Sequence, residues 1–168
     1  MKSKIILLLI SNILILGCDD MDNASKKQIE YGSIQTEIGI LSKLISLPRQ
    51  PILVKWKIEN NHGNDSALLA LLKFNEKDYD FIIKNSEPSK RKTHEIWPIE
   101  IYDSWLPDDA KFGIEVIIVE QAYGQGYEMI GIFRMEANLF ANPEFSAYMH
   151  GGITPLKNGY ISLELQTM

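Results

Sequence analysis

The chain has 168 residues, 45% of them hydrophobic, with three Trp, seven Tyr and six Phe, enough for the core of one ordinary domain. Its 22 acidic residues outnumber 17 basic ones, a net charge of −5, which argues against nucleic acid, a partner whose binding needs basic patches to displace counterions. Cys18 is the single cysteine, so no intramolecular disulfide can form and stability must come from packing.

Lys2 and Lys4 give the chain a basic start. Residues 5–16 are then apolar apart from Ser11 and Asn12, and Gly17 and Cys18 lead into Asp19, Asp20, Met21 and Asp22. This is the layout of a secretory signal. Its apolar run is about twelve residues, short of the roughly twenty that a spanning helix needs.

The tetrapeptide Ile15-Leu16-Gly17-Cys18 resembles the lipobox of bacterial lipoprotein precursors, a resemblance confined to residues 1–20. It implies that the Cys18 thiol carries a diacylglycerol, that cleavage falls just before Cys18, and that the new amine is acylated, with palmitate or a similar chain. The family prefers Leu where this chain has Ile15. Two or more acyl chains hold a protein stably, at ~0.8 kcal/mol per buried CH₂. Asp19 resembles the enterobacterial signal for retention in the inner membrane, and Asp20 points the same way. Sorting rules differ between bacteria, so the outer membrane stays open. The expected location is the cell envelope, anchored on the periplasmic side.

The expected organisation is a signal peptide over 1–17, a lipidated N-terminus and flexible tether over 18–30, and one globular β-rich domain over 31–168. With Lys2 and Lys4 removed, fifteen basic residues face 22 acidic ones, and the mature charge is −7.

Along the domain, residues 31–47 carry two patterns. Ile34, Ile38, Leu41 and Ile45 fall at helical spacing, while Ile34, Thr36, Ile38 and Ile40 alternate as in a strand. Both readings stay open, with a lean towards helix. Pro48 and Pro51 end the segment. Residues 52–59 alternate cleanly, with Ile52, Val54, Trp56 and Ile58 on a core face and Lys55, Lys57 and Glu59 on a wet one. A turn over 60–65 follows. Residues 67–74 are apolar on both faces and predict a central strand.

Asn75 can cap a helix over 76–85, with Asp78 and Asp80 near its positive end and Tyr79, Ile82 and Ile83 as its buried stripe. A polar loop covers 86–94. Residues 96–102 read as a strand that Pro98, lacking an N–H, demotes to an edge. A turn or short helical start is expected over 105–109, and a β-branched strand over 112–120. Tyr123 and Tyr127 flank two glycines in a predicted hairpin tip, with a second arm over 129–136. Residues 137–152 read as irregular. Asn158-Gly159 is the favoured pair for a two-residue hairpin turn, and a strand over 160–166 points Ile161, Leu163 and Leu165 inward and Ser162, Glu164 and Gln166 outward.

These elements predict a mainly β fold, an antiparallel sheet or β-sandwich with one or two short helices, α+β being possible. No βαβ rhythm recurs, so a parallel sheet is not expected.

Enzyme motifs are absent: no G-x-S-x-G, H-E-x-x-H or phosphate loop occurs. His62, His94 and His150 are scattered through predicted loops and show no metal-ligand spacing, so no metal and no cofactor is expected. The carboxylate pairs Asp78/Asp80, Asp108/Asp109 and Glu100/Asp103 could serve a hydrolase only if two of them faced each other across a cleft, and helix-start or turn chemistry explains each more simply. Lys90-Arg91-Lys92 is the only basic cluster and reads as a solvated loop that could also touch anionic headgroups. Trp56 belongs to the core. Tyr123, Tyr127, Tyr148 and His150 are the candidate partner-binding residues, since aromatics on long loops are favoured in interface hot spots.

The expected function is that of a lipid-anchored envelope binding protein with a protein partner, an inhibitor or immunity-type factor or an accessory subunit of an envelope complex. The alternatives are an envelope hydrolase using a carboxylate pair and a carrier of a small apolar ligand.

Overall fold

A computed structural model describes residues 32–60, 66–90, 94–122, 124–144 and 146–167. The signal, Cys18, the tether, His62, Arg91, Lys92 and Tyr123 lie outside the described residues.

The fold is mainly β, with two antiparallel sheets and four short helices among the described residues. The larger sheet has the order β1-β2-β8-β7-β6, built from β1 (Leu53–Asn60), β2 (Ser66–Lys73), β8 (Tyr160–Gln166), β7 (His150–Pro155) and β6 (Met135–Glu136). The smaller has the order β3-β5-β4, from β3 (His94–Pro98), β5 (Gly124–Phe133) and β4 (Val116–Gln121).

The large sheet is the middle layer, and each face has its own core. One core takes Val54, Trp56 and Ile58 from β1, Leu68, Ala70 and Leu72 from β2, and Ile161, Leu163 and Leu165 from β8. Leu41 of α1 (Leu41–Leu44), Ile82 of α2 (Glu76–Asn85) and Phe140 close over them. The other core gathers Leu71 from the opposite face of β2 with Trp97, Met129 and Ile132 of the small sheet. Tyr102 and Trp105 of α3 (Ile99–Trp105) and Ala110 of α4 (Asp108–Lys111) complete it. Burying a large apolar side chain is worth about 1.5–3 kcal/mol, so both layers contribute to stability.

Strong local signals produced the expected elements. The Asn75 side chain accepts from the Asp78 amide at 2.9 Å and caps α2. Asn158 and Gly159 take φ of 55° and 80°, the doubly left-handed turn that joins β7 to β8. The ambiguous stretch after Tyr31 forms neither a full strand nor a long helix. Gln35 bridges to Trp56 along the outer edge of β1, and only Leu41–Leu44 is helical. That pairing shields an edge strand.

Five expectations are corrected. Ile52, placed on the core face by alternation, precedes β1 and is 65% exposed. The strand read over 96–102 stops at Pro98, which becomes the N-cap of α3, with Tyr102 and Trp105 turned inward one helical turn apart. The strand read over 112–120 begins only at Val116. The loop read over 123–127 is largely strand: β5 starts at Gly124, and Gly126 runs so close under β3 that a Cβ would lie 2.9 Å from the Trp97 carbonyl oxygen. Ser162 is buried instead of facing water, because the second layer covers that face of β8.

Candidate functional site

Between the two layers lies a cleft of about 260 Å³. Its floor is the face of β2, β7 and β8 turned away from the first core, where Ala67, Gly152, Thr154 and Ser162 keep side chains short. Its roof comes from β3 and α3, through Trp97, Ile101 and Trp105. Small residues below and indoles above leave a space the packing does not fill.

Arg134 forms one wall. It follows β5 and crosses flat over Gly152, where a Cβ would come within 2.3 Å of its Nε. Its Nη1 donates to Glu164 Oε2 at 2.9 Å and lies 3.5 Å from Glu95 Oε1. The Trp97 indole N–H donates to that same Glu95 oxygen at 3.0 Å. Glu95 is only 8% exposed, so these two donors are what makes a buried carboxylate tolerable. Gln166 donates to the other oxygen of Glu164 at 2.8 Å.

Ser162 and Thr154 stand opposite one another on β8 and β7 and are 8% and 3% exposed. Neither hydroxyl has a hydrogen-bond partner among the described residues, yet neither oxygen is sealed from open space. Both therefore open into the cleft that they line.

Glu95 and Glu164 face each other here, the arrangement the hydrolase reading needs. The guanidinium of Arg134 already occupies the space between them, where a scissile bond would have to lie. Among the described residues, no three His, Cys, Asp or Glu side chains converge as metal ligands do.

The second feature is the β4–β5 hairpin. Among the described residues β4 is the outer strand of the small sheet and pairs with β5 alone. Ile130 N–H bonds to the Glu115 carbonyl at 2.9 Å, which sets the alternation. Residues 117 and 119 then bond inward to β5, and Val116, Ile118 and Glu120 turn their amides outward. The side chains of Ile117 and Ile118 are 46% and 60% exposed.

Of the residues singled out from sequence, Tyr127 sits within β5, opposite Ile118, and its ring meets Tyr102 edge-on at 5.1 Å. It is half-buried rather than at a loop tip. Tyr148 is buried, with its hydroxyl 2.9 Å from that of Ser66, and His150 is exposed at the start of β7. Tyr127 lies in the small sheet and His150 in the large one, with Tyr148 in the segment before β7.

The expected carboxylate pairs are dispersed among helix starts and ion pairs. Asp78 accepts from Asn75 and pairs with Arg49, and Asp103 lies near Lys111. Asp109 of α4 accepts from Lys73 at 2.8 Å and from the Tyr160 hydroxyl at 3.0 Å, tying α4 to the large sheet. The bond from Lys73 holds the Asp109 carboxyl below its ordinary value, and the same bond raises Lys73. Burial pushes the Tyr79 hydroxyl, which donates to the Leu156 carbonyl, up to about 12.

Sequence reasoning passed over Arg134 and Thr154 and read Ser162 and Glu164 only as outward-facing strand positions. The available hints were a lone arginine in an apolar hairpin arm and the Gly151-Gly152 pair, which marks a close approach.

No family model, curated protein or solved structure matches the chain. Among the described residues no helix is long and apolar enough to cross a membrane.

Proposed function

We propose that this is a lipid-anchored binding protein of the cell envelope, held on the periplasmic side through Cys18 and engaging a protein partner along β4. The observation that supports the binding role is the edge of β4 that no described strand covers, an apolar Val116-Ile117-Ile118-Val119 run with outward amides and no lysine or proline to discourage pairing. A partner strand laid along it gains main-chain hydrogen bonds and covers Ile117 and Ile118. Glu115 and Glu120 flank the run and favour basic residues at the matching places on the partner. An inhibitor or immunity-type factor, or an accessory subunit, would use such an edge.

The hydrolase alternative is weakened by Arg134 standing between its two carboxylates. In this cleft an apolar ligand is a poor match, because Glu95, Arg134, Glu164 and two hydroxyls wall it.

Two variants test the proposal in membranes solubilised with mild detergent. Cys18→Ser should leave the protein unprocessed or release it from the membrane fraction; a variant still cleaved and still membrane-bound refutes the anchor. Ile118→Lys should lower recovery of a co-purifying partner at least tenfold with the melting temperature unchanged. Undiminished recovery removes β4 from the interface, and the lack of any partner refutes the binding role.

A further inference from the structure

We infer that the cleft between the two layers binds a neutral, polyhydroxylated ring of about monosaccharide size. The inference uses a different face from β4 and does not depend on the lipid anchor.

The observation behind it is a pair of hydroxyls on largely buried residues whose oxygens open into the cleft and have no protein partner among the described residues. Ser162 and Thr154 are more than nine-tenths buried, directly opposite each other, and without a partner among the described residues. Such oxygens pair with whatever enters the cleft, water or the hydroxyls of a ligand that replaces it. Around them stand complementary groups that are only part-used. Glu95 engages Trp97 and Arg134 through Oε1 alone, and its Oε2 has no bond among the described residues. Arg134 makes its ion pairs through Nη1, leaving the N–H groups of Nη2 and Nε without an acceptor there.

The mixture selects the ligand. Two hydroxyls that both donate and accept, one free carboxylate oxygen and several free guanidinium donors match groups that themselves both donate and accept, which are alcohols. An anion would face Glu95 and Glu164. A cation would have to displace Arg134 from both carboxylates. The indoles of Trp97 and Trp105 in the roof suit the C–H surface of a ring. A volume of about 260 Å³ holds about nine waters at bulk density, or one hydroxylated six-membered ring in their place. The ion-paired wall is rigid before the ligand arrives, so little ordering is lost on binding.

The test uses the full-length protein in detergent, with tryptophan fluorescence as the readout, since two of the three tryptophans line the cleft. Glucose, galactose, mannose and N-acetylglucosamine are titrated into the millimolar range, beside spermidine and inorganic phosphate. At least one sugar should give a saturable change that spermidine and phosphate do not. Thr154→Val and Ser162→Ala keep the shape and delete one hydroxyl each, and each should weaken that sugar about three- to tenfold with the melting temperature held or raised. Silence from every sugar overturns the proposal, as does saturation by spermidine or phosphate instead. A sugar that binds both variants as tightly as the parent also overturns it, because its site is then elsewhere.

Discussion

Replacing Arg134 by methionine tests whether the cleft wall is held by its ion pairs. The side chain keeps most of its length, so packing over Gly152 survives while the charge is lost. The contact with Glu164 is one-third exposed at both ends and behaves as a surface pair, worth about 0.5–1 kcal/mol. The contact with Glu95 differs, because that side chain is 10% exposed and would keep only the Trp97 N–H. Breaking a fully buried pair costs about 3–5 kcal/mol. Arg134 is itself 32% exposed, so water can partly replace it, and about 2 kcal/mol is the fitting figure. The total is about 2–3 kcal/mol, or roughly 8 °C in melting temperature for a domain of this size. Urea denaturation at pH 7 measures it. Adding Glu95→Gln removes the stranded charge, so the double variant should be more stable than Arg134→Met alone. A loss under about 0.5 kcal/mol, or a double variant less stable than the single one, would refute the account of Glu95 as a buried carboxylate in need of Arg134.

Three further outcomes follow from other contacts. Asp109→Asn should cost about 0.5–1 kcal/mol at neutral pH, since the pair with Lys73 is partly exposed. Asp109 lies below 3.8 in the folded state, so its share is full above that value and disappears as pH falls through the folded one; Lys73 lies above 10.5, so its share is full below that value and is lost as pH rises past it. The gap between parent and variant, followed by urea denaturation, should thus be flat between these limits and close outside them. Gly159→Ala forces a side chain onto φ of 80° and within 2.4 Å of the Phe74 carbonyl oxygen, and should cost about 2 kcal/mol or more in the same assay. Tyr127→Ala should destabilise the protein by about 1–3 kcal/mol through lost packing on Tyr102, whether or not a partner is present; an unchanged melting temperature would contradict its place in the second core.

What could be read in advance was whatever a few neighbouring residues decide. Alternation marked β1 and β8, doubled apolar faces marked β2 as central, and Asn75 and Asn158-Gly159 marked a cap and a turn within their own few residues. Pro98 marked β3 as an edge strand, but that the strand ends there and a helix follows depends on Tyr102 and Trp105 finding a second core that periodicity does not reveal. Ser162 shows the limit most plainly. Its place in the alternation predicts water, and the facing layer makes it interior. The cleft was illegible for the same reason. Glu95, Arg134 and Glu164 are separated by 30 or more positions, and only the stacking of the layers brings them to one point. The glycines near Tyr127 looked like a loop because close backbone approach and turn flexibility demand the same residue.

The place of β8 in the large sheet has a consequence for how the chain comes together. Tyr160–Gln166 comes after every other described strand, yet it lies between β2 and β7. Until it arrives, β1 and β2 have no connection to β7, and Tyr160 is missing from one core while Ile161, Leu163 and Leu165 are missing from the other. A polypeptide still emerging from a ribosome or a translocation pore therefore cannot close its sheet early, whatever hairpins it forms along the way. It stays threadable until residue 166 is free, and a truncation before Tyr160 removes the joint between both halves of the fold rather than trimming an end.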